Sequence, residues 1–245
     1  MLAIVVGVGN ARRATADDAL ILEVAAGDRD RAAVPVATDL PLSLRNHRHF
    51  KLTRLDNGQA VPVQVDGAAG KPRVVWVVRD TLQAGKVRQY RLVPATGTAA
   101  AAGGVTVKDD GKHLLVRVGE KPVLRYNHAL VPSHDPKQPC YARSGYIHPV
   151  YNPAGQVVTD DLNPVHAHQH GIWFAWRHTT FEGRSTDGWH QAAGLLKVEH
   201  VKTDAFGGGP VLGHFSVRMR QVDKDDVRLI LLDHSNKRSA ICNDG

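Results

Sequence analysis

The chain has 245 residues, 42% hydrophobic and 22% charged, which is ordinary for a globular protein and sufficient for a sizeable core. Its formal net charge of +7 permits attraction to anions. The basic residues are scattered and form no recognisable nucleic-acid module, so we expect no nucleic-acid partner. No apolar run reaches the roughly 18 residues of a transmembrane helix, so we expect no membrane span.

The first sixteen residues have the outline of a secretory signal. Leu2–Val8 is a short apolar block, and Ala14–Ala16 has the small residues of a cleavage site. The only nearby positive charges, Arg12 and Arg13, follow the apolar block, whereas in a signal they precede it. We interpret residues 1–16 as a signal-like segment of a periplasmic or extracellular protein. The alternative is a cytoplasmic protein without a signal.

From residue 17 onward the sequence predicts β-strands and no helix. Short runs rich in β-branched residues alternate with turn sequences such as Asp56-Asn57-Gly58. No apolar repeat of about 3.6 residues persists anywhere. This pattern predicts an all-β fold, an antiparallel β-sandwich. The predicted strands include Leu20–Ala25, Val61–Val65, Val74–Val78, Val87–Val93 and His113–Val118.

A stretch rich in alanine and glycine, residues 94–104, predicts a linker or a long surface loop. It separates an N-terminal β-module over residues 17–93 from a main β-sandwich over residues 105–245. Within the second part, Asn152-Pro153-Ala154-Gly155 predicts the turn of a hairpin. After Val227–Leu232 the chain becomes polar and stops, so we expect the main sandwich to be incomplete at its end.

The most informative segment contains His166, His168 and His170 and runs into an aromatic stretch. Alternate side chains of a β-strand share one face, so this spacing predicts that the three imidazoles project together. Imidazole transfers protons near neutral pH and is the commonest metal ligand. The segment therefore predicts either acid–base catalysis or a divalent metal held by His166, His168 and His170, and the sequence names no other cofactor.

Further candidate residues surround this segment. Histidines and carboxylates act as acid–base partners, an arginine neutralises a carboxylate or an oxyanion, and aromatic faces pack against apolar surfaces of a ligand. The ordinary alternatives are a solvated strand face, an aromatic core and an Asx turn at Asp160 and Asp161. The predicted catalytic residues are His166, His168, His170, His148, His190, Asp160, Asp161 and Arg184. The predicted substrate-binding residues are Trp173, Trp176, Trp189, Tyr146 and Asp187.

The segment from Gly145 to Gly194 contains a series of motifs, namely Gly145–Pro149, Asn152–Gly155, Val157–Asp161, His166–Gly171, Trp173–Trp176, Gly183-Arg184 and Asp187–His190. In order and spacing these motifs resemble the PmoA-like family of bacterial β-proteins, which carries a methane-oxygenase label. The resemblance implies a sandwich similar to the galactose-mutarotase supersandwich, usually exported, in bacteria that degrade polysaccharides. The label itself disagrees with a chain that has no membrane-spanning segment.

Together these features predict an exported carbohydrate-active enzyme of lyase, epimerase or hydrolase type, with a small-molecule or oligosaccharide substrate. Two alternatives stay open. One is a non-catalytic carbohydrate-binding module in which the tryptophans supply the affinity. The other is a metal-dependent oxygenase on a β-scaffold. The sequence specifies neither the sugar nor the oligomeric state.

Overall fold

The structure, a computed structural model, describes residues 19–67, 71–97, 104–181, 183–223, 228–232 and 241–242. The signal-like segment and residues 98–103 of the predicted linker lie outside these ranges. The chain divides into two compact units. Unit 1 falls within residues 1–105, 209–212 and 242–245, and unit 2 within 106–208 and 213–241.

Unit 1 consists of two antiparallel sheets with strand orders β1-β7-β3-β4 and β2-β6-β5. The predicted strands in this region are confirmed, although the run 61–65 is divided between β4 and β5 at Pro62. Proline has no N–H to donate to a sheet, which explains this break. The strands are β1 Leu20–Ala25, β2 Val34–Asp39, β3 Phe50–Arg54, β4 Ala60–Val61, β5 Val63–Asp66, β6 Arg73–Val78 and β7 Val87–Pro94.

The core of unit 1 lies between its two sheets. Apolar side chains at alternate positions of β7, Tyr90 and Leu92, are buried and face the same cluster as Leu22 of β1. Trp76 of β6 meets Tyr90 edge to face, with ring centroids 5.6 Å apart. Because the rings come from different sheets, this contact is part of the packing that holds the sandwich together.

Unit 2 contains a sheet of strand order β11-β10-β9-β8, a sheet of order β14-β15-β16 with β17 also on β15, and the hairpin β12-β13. Tyr126 of β10 packs on Phe215 of β15, with ring centroids 5.3 Å apart. The two larger sheets are therefore in face-to-face contact. The strands are β8 Val105–Asp109, β9 His113–Val118, β10 Lys121–Asn127, β11 Tyr146–Val150, β12 Thr179–Phe181, β13 Arg184–Thr186, β14 Leu196–Gly207, β15 Leu212–Asp223, β16 Arg228–Leu232 and β17 Ile241–Cys242.

The predicted all-β antiparallel sandwich is confirmed. The described residues contain no α-helix and three short 3-10 turns, Leu42–Leu44, Pro139–Tyr141 and Gln191–Ala193. Among these residues, none forms a helix with the length and hydropathy to cross a bilayer.

Candidate functional site

The candidate site is assembled on β11 in unit 2. One edge of β11 pairs with β10, and its other edge receives the chain that follows it. The predicted hairpin is present, since the Asn152 N–H donates to the Gln156 carbonyl at 2.9 Å. Farther on, Ile147 and Ile172 form a two-bond bridge. Gly171 has φ +53°, and a Cβ there would collide with the Ile147 carbonyl, so glycine permits this close approach.

The predicted strand through the three histidines is wrong. The Asn163 carbonyl accepts a hydrogen bond from the His166 N–H, and the His166 carbonyl accepts one from the Gln169 N–H, both at 2.9 Å, which is turn geometry. Asp160 supports the turn, since its Oδ2 accepts from the Asn163 side chain at 2.7 Å. The turn-forming side chains of Asp160 and Asn163 outweigh the alternating pattern. As a result His166 is exposed, whereas only 1% of His170 is exposed.

His170 belongs to a buried polar network. Its Nδ1 lies 2.8 Å from Asp161 Oδ1, and its Nε2 lies 2.8 Å from Gln191 Oε1. The other oxygen of Asp161 accepts the Tyr146 hydroxyl at 2.7 Å. Burial, followed by the bond to Asp161, raises the pKa of Tyr146, so the phenol stays protonated and donates. The network fastens β11, the 160–171 turn and the 3-10 turn Gln191–Ala193 to one another.

His168 occupies the centre of the accessible part of the site. Its ring centroid lies 5.9 Å from that of His166, 6.0 Å from that of His190 and 6.1 Å from that of Trp189. In the described parts of the chain neither of its ring nitrogens has a hydrogen-bond partner. Burial, and then the neighbouring imidazoles, lower the pKa of His168, which favours its neutral form.

Asp187 and His190 form a dyad at the side of His168. His190 Nδ1 donates to Asp187 Oδ2 at 2.7 Å, and Asp187 Oδ1 accepts the backbone N–H groups of Trp189 and His190 at 2.8 and 3.0 Å. Burial alone would raise the pKa of Asp187, but these hydrogen bonds lower it to about 2. The carboxylate therefore stays ionised and fixes the orientation of the imidazole.

Aromatic rings connect the accessible and the buried parts. Trp189 packs on Trp173 with centroids 5.2 Å apart, and Trp173 meets the edge of His170 at 5.9 Å. The structure thus brings most of the predicted residues into one connected cluster, which we call the imidazole cluster. It comprises His166, His168, His170, His190, Trp173, Trp189, Tyr146, Asp161 and Asp187.

Four predicted residues make other contacts. His148 Nδ1 lies 2.9 Å from Thr159 Oγ1, and burial lowers the pKa of its imidazole. Arg184 of β13 donates to Asp223 Oδ2 at 2.6 Å, so the guanidinium predicted to neutralise a substrate charge already has a carboxylate. Trp176 packs on Phe174 at 5.2 Å. Asp160, as described above, stabilises the turn.

Sequence reasoning missed two residues, Gln191 and Arg143. Only 2% of Arg143 is exposed, and its guanidinium carbon lies 4.5 Å from the centre of the Trp173 ring. Its Nη2 donates to the Phe174 carbonyl at 2.7 Å, and its Nε has no partner. Burial lowers the pKa of Arg143 to about 10. No motif surrounds either residue, so their contacts with distant segments gave no signal in the sequence.

The three predicted metal ligands lie in the imidazole cluster, but they are not arranged to share one metal ion. Both nitrogens of His170 are occupied by Asp161 and Gln191, away from His166 and His168. Across the described ranges no group of three His, Cys, Asp or Glu residues is arranged to hold a metal ion. The chemistry that the imidazole cluster supports on its own residues is proton transfer.

One family model matches the chain, over residues 113–236, and it describes a family of unknown function, DUF6807. The match includes every residue of the imidazole cluster. No curated protein and no solved structure matches the chain.

Proposed function

We propose that this chain, which belongs to the DUF6807 family of unknown function, is an enzyme that transfers protons to and from a carbohydrate. The observation that carries the proposal is a pair of imidazoles with different environments. His168 and His190 lie 6.0 Å apart, centroid to centroid, and only His190 has a carboxylate partner. Two titratable groups with unequal environments are the usual basis of an acid–base pair.

In this proposal His168 is the general base. A base has to be neutral at the working pH and has to have a free lone pair. The lowered pKa of His168 favours the first condition, and the lack of a partner on either ring nitrogen meets the second. Its place between His166, His190 and Trp189 leaves it half-buried, so a bound sugar can approach it from solvent.

His190 is the general acid. Asp187 accepts a hydrogen bond from the Nδ1–H group of His190, so the proton that His190 exchanges with a substrate is carried on Nε2. A carboxylate in this position holds the imidazole in one tautomer and one orientation. The Nε2 atom has no hydrogen-bond partner within the described ranges, and the His190 side chain is 46% exposed, so it can reach a leaving or attacking oxygen.

Trp189 and Trp173 supply the flat apolar surface against which a sugar ring packs. The buried network of Tyr146, Asp161, His170 and Gln191 positions the turn that carries His168 and the segment that carries His190. His170 acts in this scheme as a positioning residue. The reaction class is that of a carbohydrate lyase, epimerase or hydrolase.

The resemblance to PmoA-like proteins supports the choice of carbohydrate, because it implies a mutarotase-like sandwich in bacteria that degrade polysaccharides. We extend the proposal accordingly to a protein that works in the periplasm or outside the cell. Fractionation of cells that express the full-length gene checks this part.

The test is turnover of an oligosaccharide panel by the purified chain, with products separated by chromatography. We expect His168→Ala and His190→Ala each to lower turnover by about 10²–10⁴-fold, the usual contribution of one acid–base group. His134→Ala is the matched control, because His134 is an exposed histidine of the same unit outside the cluster. Unchanged turnover in both cluster variants would contradict the proposal. Sugar binding without any product would identify a carbohydrate-binding module instead.

A further inference from the structure

We infer that the substrate is an acidic sugar, a uronate unit whose carboxylate is attracted by the unpaired guanidinium of Arg143. The inference rests on the proposed function, since it names the class of sugar for the same site. It is based on a comparison of the charged groups of the site that already have partners with those that do not.

The carboxylates of the site are all occupied. Asp187 accepts three hydrogen bonds, from His190 Nδ1 and two backbone N–H groups. Asp161 accepts the Tyr146 hydroxyl and lies against His170 Nδ1. Asp160 accepts the Asn163 amide and the N–H of Asp161. A cationic ligand would therefore find no carboxylate free to receive it at this site.

The positively charged group of the site, the guanidinium of Arg143, is not compensated in the same way. Among the described residues the guanidinium of Arg143 has one hydrogen-bond partner, the Phe174 carbonyl, and no carboxylate lies within ion-pair distance of it. An unpaired charge that is 98% withdrawn from solvent is unusual, because desolvation of an ion is costly unless a counter-ion repays it. Its field is weakly screened in the low-dielectric interior beside Trp173. A ligand carboxylate on the cluster would supply the missing negative charge.

Arg184, the residue predicted from sequence to neutralise a substrate anion, already has Asp223 as its partner. We assign this role to Arg143, which is buried and lies against the Trp173 ring of the cluster. His166 and His168, which have no side-chain hydrogen-bond partners among the described residues, add donors and acceptors but no negative charge.

A carboxylate at C6 also gives the acid–base pair a defined reaction. The adjacent C5–H bond is acidified when positive charge neutralises the carboxylate. His168 takes the C5 proton, the electron pair of that bond forms the C4=C5 double bond, and the C4–O4 bond breaks. His190, in its doubly protonated form, delivers its Nε2 proton to O4 as the sugar leaves. The step is a β-elimination that consumes no co-reactant and regenerates the enzyme when a proton moves from His168 to His190.

The test compares trigalacturonate, its methyl ester and the neutral sugar maltotriose as probes, with binding followed by tryptophan fluorescence and calorimetry. We expect the free acid to bind about tenfold more tightly than the ester. A tenfold ratio corresponds to the free energy of about one charge-assisted contact. The comparison needs no mutation, so it decides the inference even if a variant fails to fold. Equal affinities for acid and ester would overturn it and leave the proposed function standing.

The variant Arg143→Gln should reduce the ratio between acid and ester to about one, whereas Arg29→Gln should leave it unchanged. Arg29 is the control for net charge, because its side chain is 78% exposed in unit 1. A ratio that survives in folded Arg143→Gln would assign the acid preference elsewhere and overturn the inference. Failure of all three probes and of the wider sugar panel to bind would overturn the inference and the proposed function together.

Discussion

Both units contain buried arginines, and Arg54 of unit 1 and Arg143 of unit 2 have opposite surroundings. In unit 1, Arg54 is 8% exposed and forms a two-bond contact with Asp56 and a further ion pair with Asp80. The bond to Asp56 and then that to Asp80 outweigh burial, so the pKa of Arg54 is raised. In unit 2, Arg143 is buried more deeply, and among the described residues its guanidinium has a carbonyl and an aromatic face as partners and no carboxylate.

The difference separates a charge that stabilises the fold from a charge that is available to a ligand. The charge of Arg54 is compensated within unit 1 by two carboxylates, Asp56 and Asp80. Among the described residues, the guanidinium of Arg143 has no carboxylate partner. In the same unit, ring nitrogens of His168 and His190 have no hydrogen-bond partner within the described ranges. These groups therefore leave charge and hydrogen-bonding capacity unused. Unsatisfied polar groups of this kind cost stability, and they are typical of sites that bind or react.

The largest effect is expected from the carboxylate of the dyad. Asp187→Asn should lower turnover by about 10²–10⁴-fold, because the amide no longer fixes the protonation of His190 Nδ1. Asp80→Asn is the matched substitution in unit 1 and should leave turnover unchanged, since Asp80 pairs with Arg54 and Arg88 of that unit and is not part of the imidazole cluster. Steady-state kinetics of both variants provide the measurement. Equal losses of turnover in the two variants would contradict the different roles that we assign to Asp187 and Asp80.

A smaller effect is expected when each arginine is replaced by an apolar residue of similar length. Arg54→Met should lower the free energy of unfolding by about 1–3 kcal/mol, because its charge-assisted hydrogen bonds are lost. Arg143→Met should change it by less than about 1 kcal/mol or increase it, because a buried charge without a counter-ion is removed. Urea unfolding at constant pH measures the free energy of unfolding of both variants. A greater loss in Arg143→Met than in Arg54→Met would contradict our assignment of the two roles.

The sequence predicted unit 1 well because its strands are regular. Val87–Val93 alternates buried and exposed residues along most of β7, so a simple two-residue period located it to within one residue. The departures were Pro62, where a single predicted strand is two, and the strands β2 and β3, which were not among the runs named from the sequence. Alternation reports burial on a sheet, and unit 1 is held together by such burial.

The same rule failed at the candidate site. His166, His168 and His170 alternate, yet Asp160 and Asn163 fold the segment into a turn, because hydrogen bonds between side chain and backbone compete with strand pairing. Most of the residues chosen from the sequence nevertheless lie in one cluster. Arg143 could not be chosen, because its partner carbonyl is 31 residues away and only the tertiary fold brings them together.

The most direct test of the account is an NMR titration of the His168 imidazole, with and without an oligosaccharide. Because burial disfavours the charged form, we predict that His168 titrates below the value of about 6.5 of an unperturbed histidine, so that it is neutral at pH 7. We further predict that sugar moves the His168 and His190 resonances and leaves that of the exposed His134 in place. A His168 that titrates above about 6.5, with resonances that no sugar moves, would contradict the acid–base site.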